Sequence, residues 1–178
     1  MSKVIIYIAM SLDGYIADIN GGVNWLKGDG SEPDNAGSYF KFIDTIDSII
    51  LGSKTYNQII TELSPNNWPY KGKQTYVLTS NKKKYDEINS MEKVEFIDQN
   101  IKDFIIKIKA DTSQNIWICG GANIINQVYD LVDEYIISII PTLLGSGIRL
   151  FKNNKKIDLK LVSTTVYNGI VDLKYVKK

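Results

Sequence analysis

Short runs of apolar residues, separated by polar and turn-forming residues, recur along the chain. The first run, KVIIYIA at 3–9, is apolar at nearly every position, which is typical of a strand buried on both faces. The last stretch, 159–178, alternates around Asn168-Gly169, a pair that favours a hairpin turn. The pattern predicts further strands at 48–52, 75–79, 94–97, 116–119 and 134–141.

Apolar residues at helical spacing fill four segments between these runs, at 36–46, 55–63, 101–110 and 122–132. In the first segment, one face collects Tyr39, Phe40, Ile43 and Ile46. Asp98 is the candidate N-cap of the third. Strand and helix therefore alternate until the final strands. This predicts an α/β fold with a mainly parallel central sheet flanked by helices and an antiparallel C-terminal hairpin at its edge. With 178 residues, the chain fits a single domain, 1–178.

The residue types that are absent or rare limit the chemistry that the chain can perform. The chain has no histidine and one cysteine, Cys119, which removes the commonest general base and the usual zinc ligands. No metal site is therefore expected. A carboxylate, a lysine or a tyrosine must carry any acid–base work, or a bound cofactor must carry the chemistry. A single cysteine also fits a cytoplasmic location.

Charge and hydropathy argue against two classes of partner. The formal net charge is +1, which gives no overall field for nucleic acid, and Lys82–Lys84 is typical of a solvated loop or helix start. No stretch approaches the roughly 18 apolar residues that a membrane span needs. We therefore expect a small-molecule substrate, with neither nucleic acid nor membrane as a partner.

Glycines, hydroxyls and a lysine follow four of the predicted strands. The loop 10–25 follows the first strand and carries Asp13-Gly14, which is equally interpretable as an ordinary turn. The other exits carry Gly52, Ser53, Lys54 and Thr55, then Thr79 and Ser80, then Gly120 and Gly121. Each alone also fits a helix cap, a turn or tight helix packing. Together they predict a nucleotide lying across the carboxyl edge of one sheet.

These motifs, taken in order, carry a family resemblance. The set SLDGYIA, GSKTY, YVLTS, ICGGANI and DEYIISIIPTLLGSGIRLF resembles the dihydrofolate reductase-like superfamily over roughly residues 3–175. Within it, the chain is most similar to the reductase domain of the bifunctional riboflavin-biosynthesis deaminase–reductase, on LVDEYIISIIPTLLGSGIRLF and SLDGYIA. The resemblance implies a reductase that binds NADPH and forms a homodimer.

The resemblance also implies a cofactor-binding set at the same four strand exits. Three residues are expected to line the nicotinamide: Ala9, Ile16 and Ala17. Four are expected to meet the pyrophosphate and the 2′-phosphate: Gly52, Ser53, Lys54 and Thr55. The adenosine end is expected at Leu78, Thr79 and Ser80. Backbone N–H groups for the pyrophosphate are expected from Gly120, Gly121, Ala122, Asn123 and Ile124.

The expected substrate site departs from that of a folate reductase. Such an enzyme has an acidic residue at the start of the helix after the first loop, a supporting threonine, and an arginine that grips the folate carboxylate. By counting, these places fall on Ala36, Ile137 and Lys73. The candidate proton donors that remain are Asp34, Asp13 and a water held in the loop.

Other positions bear on the substrate as well. Trp25 in the first loop and Phe40 on the first helix are the candidate substrate contacts, although Trp25 equally fits a packing role. Tyr15 stands where the riboflavin-type loop often carries a lysine. We expect hydride transfer from NADPH to a pterin- or aminopyrimidine-type substrate, most like 5-amino-6-(5-phosphoribosylamino)uracil reductase. The alternatives are a dihydrofolate reductase and a non-catalytic NADP-binding module.

Overall fold

The computed structural model describes residues 2–86, 92–152 and 155–178. The strands in this part of the chain are β1 Val4–Ser11, β2 Tyr15–Ala17, β3 Ile46–Gly52, β4 Gln74–Leu78, β5 Val94–Ile97, β6 Asn115–Gly120, β7 Glu134–Ile140, β8 Ile148–Arg149, β9 Leu159–Tyr167 and β10 Ile170–Lys177. The helices are α1 Tyr39–Ile43, α2 Ser53–Gln58, α3 Lys82–Asp86, α4 Ile101–Asp111 and α5 Ala122–Val128. A π-helical turn, Ile59–Leu63, prolongs α2, and a 3-10 turn, Tyr129–Leu131, prolongs α5.

Eight strands form one sheet in the order β5-β4-β3-β6-β1-β7-β10-β9. The first six are parallel, whereas β10 runs antiparallel to both β7 and β9. Strands β2 and β8 pair separately. The predicted α/β class, with its mainly parallel sheet and antiparallel C-terminal hairpin at the edge, is therefore confirmed.

Both faces of the central parallel strands are buried, as the continuous apolar runs predict. In β1, Val4 and Ile6 belong to the core cluster on one face, and Ile5 and Tyr7 belong to the cluster on the other. Helices α4 and α5 contribute to the first cluster, and α1 and α2 contribute to the second. Among the described residues, no helix combines the length and apolarity of a membrane span.

Some predicted boundaries are wrong for physical reasons. The helix expected at 36–46 shrinks to α1, because Ile46 pairs with Asn115 as the first residue of β3. Its buried residue is Phe42, whereas Phe40 is 65% exposed. The N-cap of α4 is Asn100 rather than Asp98, since the Asn100 side chain accepts hydrogen bonds from the second and third amides of that helix.

Candidate active site

The four strand exits selected from the sequence lie along one edge of the sheet. They follow β4, β3, β6 and β1, which are consecutive parallel neighbours. These strands end at Leu78, Gly52, Gly120 and Ser11. Since neighbouring strands are about 4.8 Å apart, the four exits span about 14 Å. They form one continuous surface at the carboxyl ends, where open α/β sheets bind ligands.

The double glycine brings the start of α5 close to the start of α2. Gly121 is the N-cap of α5, and a Cβ placed on it would lie 3.3 Å from Thr55 Oγ1. A Cβ on Gly52, the N-cap of α2, would lie 3.4 Å from Ile124 Cγ1. The glycines therefore let the two helix starts approach each other closely, and we call the backbone surface between these starts the cradle.

Gly120 is required by its backbone conformation. Its φ is +126°, a region that L side chains rarely adopt, and the peptide that joins it to Gly121 is cis. A Cβ there would meet Ile8 Cδ1 only at 3.7 Å, which is an ordinary contact. Backbone conformation favours a glycine at position 120, whereas the close approach of Thr55 favours a glycine at position 121.

Backbone N–H groups at the two helix starts line this cradle. The first turn of a helix leaves its amides without intrahelical partners. In α2 the first residues are Ser53, Lys54 and Thr55, and in α5 they are Ala122 and Asn123. Ile124 departs from the expectation, because its N–H donates to the Gly121 carbonyl at 3.0 Å and its side chain is 3% exposed. Ile124 packs beneath the cradle instead of offering its amide.

The expected adenosine end contains exposed and buried groups. Ser80 is exposed, as is Lys54, which is expected near the 2′-phosphate, and such exposure suits a hydroxyl and a cation that meet a phosphate. Thr79 is buried, and its Oγ1 accepts a hydrogen bond from the Asn81 N–H at 3.1 Å. Leu78 packs against the core. Thr79 therefore shapes the turn after β4, in keeping with the structural alternative for that residue.

The three residues expected to line the nicotinamide differ in their burial. Ala9 is half-buried near the end of β1, and Ala17 is buried in β2. Ile16 packs against the core cluster that includes α5. The pairing of β2 with β8 fixes the course of these residues beside the carboxyl edge.

Asp13 fastens the first loop to the loop that follows β7. Its carboxylate accepts hydrogen bonds from the Ser11 hydroxyl at 2.6 Å and from the Leu144 and Gly145 amides at 3.1 and 2.7 Å. The Ser11 hydrogen bond, helped by these amides, lowers the pKa of Asp13 to about 2. A group that is ionised at neutral pH and already accepts three hydrogen bonds suits an anchor better than a proton donor.

We expect Asp13→Asn to lower the unfolding temperature at neutral pH. The pKa of Asp13 in the folded protein lies below the roughly 3.9 of an unfolded aspartate, so its stabilising contribution is complete above that value and is lost as the pH falls toward 2. Thermal unfolding of parent and variant at pH 7 and near pH 2 tests this. The difference between the two unfolding temperatures should be smaller near pH 2 than at pH 7. An equal difference at both pH values would contradict the anchoring role.

Asp34 and Ala36 lie in an exposed segment rather than at the start of α1. The segment is held against the β9–β10 turn, where Asn168 accepts hydrogen bonds from the amides of Asp29, Gly30 and Glu32. Helix α1 begins only after its N-cap, Ser38. The residue directly before α1 is therefore Ser38, two positions after Ala36.

Three other expected positions contact the protein itself. The Trp25 indole donates to the Gly22 carbonyl of its own loop at 3.3 Å, which fits the packing alternative. The Phe40 side chain is exposed and contacts Tyr39 edge-on, with ring centres 5.8 Å apart. Lys73 Nζ donates to the Ile46 carbonyl at 2.7 Å, so its amine is already engaged in the fold.

A buried carboxylate that the sequence did not single out stands beside Ser38. Asp172 on β10 is 3% exposed. Its Oδ2 accepts hydrogen bonds from the Ser38 hydroxyl at 2.5 Å and the Tyr7 hydroxyl at 3.2 Å. Its Oδ1 accepts from the Ser138 hydroxyl at 2.6 Å and the Tyr167 hydroxyl at 3.2 Å. The Asp172 carboxyl group on β10 thus lies beside the start of α1.

A hydroxyl also lies one residue beyond the place that counting assigned to the family's supporting threonine. Counting assigned it to Ile137, but that side chain is buried in the cluster on the other face. Ser138 lies on the same face as Asp172 and is paired with it across β7 and β10. A serine inside the apolar run EYIISIIP was the available signal, because a polar residue in a doubly buried strand needs a partner.

Comparison with known proteins identifies the family. A family model described as the RibD C-terminal domain matches residues 2–172. The chain belongs to this family. It is 39% identical over 178 residues to the uncharacterized protein YwjB of Bacillus subtilis (strain 168), with 98% of each chain covered.

Solved structures agree with this assignment. A protein of Shewanella sp. PV-4, named as a candidate riboflavin biosynthesis protein, superposes with a TM-score of 0.81 at 26% identity, with 99% of each chain covered. The dihydrofolate reductase of Enterococcus faecalis, complexed with NADP(H) and RAB-propyl, superposes with a TM-score of 0.68 at 16% identity, with 98% of this chain and 96% of that chain covered. The resemblance to the dihydrofolate reductase-like superfamily is confirmed, and the family supports a reductase-type function.

Proposed function

We propose that the protein is an NADPH-dependent reductase of a pterin- or aminopyrimidine-type substrate, most like 5-amino-6-(5-phosphoribosylamino)uracil reductase. One observation carries the proposal. Four strand exits with glycines, hydroxyls and a lysine lie on four consecutive parallel strands, and Gly52 and Gly121 let the starts of α2 and α5 approach each other closely there. Backbone amides in such a cradle suit a pyrophosphate.

The residues of the cradle fit an NADPH molecule along this edge. The amides of Ser53, Thr55, Ala122 and Asn123 would hold the pyrophosphate, and Lys54 with Ser80 would hold the 2′-phosphate. Ala9, beside the end of β1, would face the nicotinamide. When bound, NADPH supplies the hydride, and the protein supplies position and electrostatics.

Two contacts favour an aminopyrimidine ribosyl phosphate over folate. The Lys73 amine bonds to the Ile46 carbonyl, which takes it away from the role of gripping a folate carboxylate. The Arg149 guanidinium lies 4.7 Å from the centre of the Tyr15 ring. A cation therefore stands beside the position where riboflavin-type loops often carry a lysine, and it suits a substrate phosphate.

The proposal is tested by adding NADPH to the purified protein and then each of two substrates. A ligand at a hundredfold excess over its dissociation constant stabilises a protein by about 2.7 kcal/mol, so the unfolding temperature should rise. NADPH oxidation should then be faster with the aminouracil ribosyl phosphate than with dihydrofolate. An unchanged unfolding temperature would contradict the proposal. Binding of NADPH without turnover of either substrate would favour a non-catalytic NADP-binding module.

We predict that Lys54→Ala weakens NADPH binding far more than NADH binding. The side chain is exposed at the start of α2, where a cation can pair with a 2′-phosphate, and a charge-assisted contact contributes about 1.5–3 kcal/mol. Dissociation constants for both nucleotides, measured by fluorescence, test this. Lys107→Ala, an exposed lysine on α4, is the control. Equal losses for both nucleotides would show that Lys54 does not contact the 2′-phosphate.

A cytoplasmic homodimer is part of the same proposal and rests mainly on the family resemblance. Strand β9 is an edge strand of the sheet, and its apolar residues Leu161, Val162 and Val166 are about half exposed or more. Exposed apolar residues on an edge strand are commonly covered by a partner. Sedimentation should give twice the chain mass of 20.1 kDa, whereas a single-chain mass would contradict the dimer.

A further inference from the structure

A cavity of about 330 Å³ lies between α1 and the part of the sheet formed by β1, β7, β10 and β9. Ile5, Phe42 and Ile136 form an apolar part of its lining, and Ser163 and Thr165 line it from β9. Sites for small molecules usually have volumes of about 300–1,000 Å³. The cavity is therefore large enough for a small molecule.

The cavity lies toward the amino ends of the parallel strands, away from the carboxyl edge. Its lining includes Lys3 directly before β1, Ile5 near the start of β1, and the first residues of β6 and β7, which are Asn115 and Glu134. Strand β1 ends at Ser11, which is about 20 Å further along the strand than Ile5. A molecule in this cavity would therefore occupy a site separate from the cradle.

The charged groups of the lining leave an excess of positive charge. Three ammonium groups, those of Lys3, Lys41 and Lys174, face two carboxylates, those of Glu134 and Asp172, which gives a net charge of +1. Lys41 is exposed on α1, and the side chains of Lys3 and Lys174 are 52% and 35% exposed. The local field therefore favours an anion over a cation.

The carboxylate and amide oxygens of the lining already have partners. Glu134 forms ion pairs with Lys3 through one oxygen and with Lys174 through the other, the second at 2.8 Å. Asp172 accepts hydrogen bonds from four hydroxyl groups. The Asn115 side-chain oxygen accepts a hydrogen bond from the Lys3 backbone N–H at 3.0 Å. These oxygens therefore have little capacity left to accept hydrogen bonds from a ligand.

Donor groups in the same lining are still available. An ammonium group has three N–H donors, and Lys3 and Lys174 each direct one of them to Glu134. Within the described part of the chain, no hydrogen bond or ion pair involves the Lys41 ammonium or the Thr165 hydroxyl. A cavity whose donors are available and whose acceptors are occupied suits a ligand that is rich in acceptor oxygens.

We propose that this cavity is a second binding site, which takes a small organic phosphate monoester. A phosphate monoester carries a charge of about −1.5 to −2 at neutral pH and three strong acceptor oxygens. These match donors from three elements, Lys41 on α1, Lys174 on β10 and Thr165 on β9, and lysine binds phosphate as a point charge. The apolar part of the lining suits a short carbon chain. The site does not depend on the proposed function, because it shares no residue with the cradle.

Calorimetric titration with glycerol 3-phosphate tests the proposal, with inorganic phosphate and glycerol as comparison compounds. We expect saturable binding of glycerol 3-phosphate that weakens as the salt concentration rises, weaker binding of inorganic phosphate, and no binding of glycerol. The absence of saturable binding of glycerol 3-phosphate up to about 10 mM would overturn the proposal. Equal affinities for inorganic phosphate and glycerol 3-phosphate would contradict the role of the apolar lining.

Backbone amide chemical shifts locate the bound phosphate without any measurement of activity. Glycerol 3-phosphate should shift the amide signals of Asn115 and Thr165, which line the cavity, both with and without NADPH. Shifts limited to Ser53 and Ala122, at the helix starts of the cradle, would overturn the second site. Because the signals of Asn115 and Thr165 report on the cavity whether or not NADPH binds, failure of this site is distinguishable from failure of the proposed function.

Two pairs of variants test the contacts. Thr165→Val should weaken binding of glycerol 3-phosphate about 5-fold through loss of one hydrogen bond, whereas Thr164→Val, on the opposite face of β9, should not. Lys41→Gln should weaken it about 10-fold, and Lys107→Gln, at an exposed position on α4, is its control. Parent-like affinity in both Thr165→Val and Lys41→Gln would show that the phosphate does not bind in this cavity.

Discussion

Gly121→Val is expected to fold like the parent protein and to lose about 100-fold or more in NADPH affinity. The φ of Gly121 is −77°, which any residue adopts, so the backbone tolerates the change. The new side chain, however, would enter the cradle beside Thr55 Oγ1, which lies 3.3 Å from the position of its Cβ. Moving the phosphates away would remove charge-assisted hydrogen bonds of about 1.5–3 kcal/mol each, and about 2.7 kcal/mol corresponds to 100-fold.

Fluorescence titration with NADPH and thermal unfolding without ligand, run on the same protein, test this expectation. Ala110→Val introduces the same side chain at an exposed position on α4 and is the control for a β-branched residue near a helix end. Gly120→Ala is a contrasting variant, because its φ of +126° should make it lose about 1–3 kcal/mol of stability before any ligand is added. Unchanged NADPH affinity in a folded Gly121→Val protein would show that the cofactor does not bind in the cradle.

The fold could be predicted from the sequence because its strongest signals are local. The run KVIIYIA is apolar on both alternating sets of positions, and Val4 and Tyr7 are indeed buried on opposite faces of the sheet. The boundaries were harder to predict. Ile46 continues the helical spacing of 36–46, and only its pairing with Asn115 shows that it begins β3. Tertiary pairing overrides a local pattern where the two compete.

The carboxyl edge was also accessible from the sequence. A strand followed at once by glycines or hydroxyls predicts a site at the end of that strand, and parallel strands bring such ends to one edge. The order of the strands was not accessible, and this order is what makes the exits after Leu78, Gly52, Gly120 and Ser11 consecutive. Sequence patterns thus predict a ligand site at an edge of the sheet but do not give the distances along that edge.

Asp172 could not be identified from sequence spacing because its partners come from distant segments. Tyr7 is 165 positions away and Ser38 is 134 positions away. In the sequence VDLKYVKK, the aspartate shares its alternating positions with Lys174, which is typical of a solvent-exposed face. That face is buried because β10 pairs with β7 and α1 packs over it. The carboxyl group beside the start of α1 therefore comes from β10, which is distant in the sequence.

Asp172→Ala is expected to lower the free energy of unfolding by about 3 kcal/mol. It would leave the hydroxyls of Tyr7, Ser138 and Tyr167 without their acceptor, and each unsatisfied buried group costs about 1–3 kcal/mol, part of which local rearrangement recovers. For a chain of this size, the unfolding temperature should fall by about 6 °C or more. Thermal and urea unfolding test this, with Asp111→Ala, an exposed aspartate at the end of α4, as the control. Removing a buried charge can also be neutral, so a variant as stable as the parent would show that the hydroxyls do not depend on Asp172.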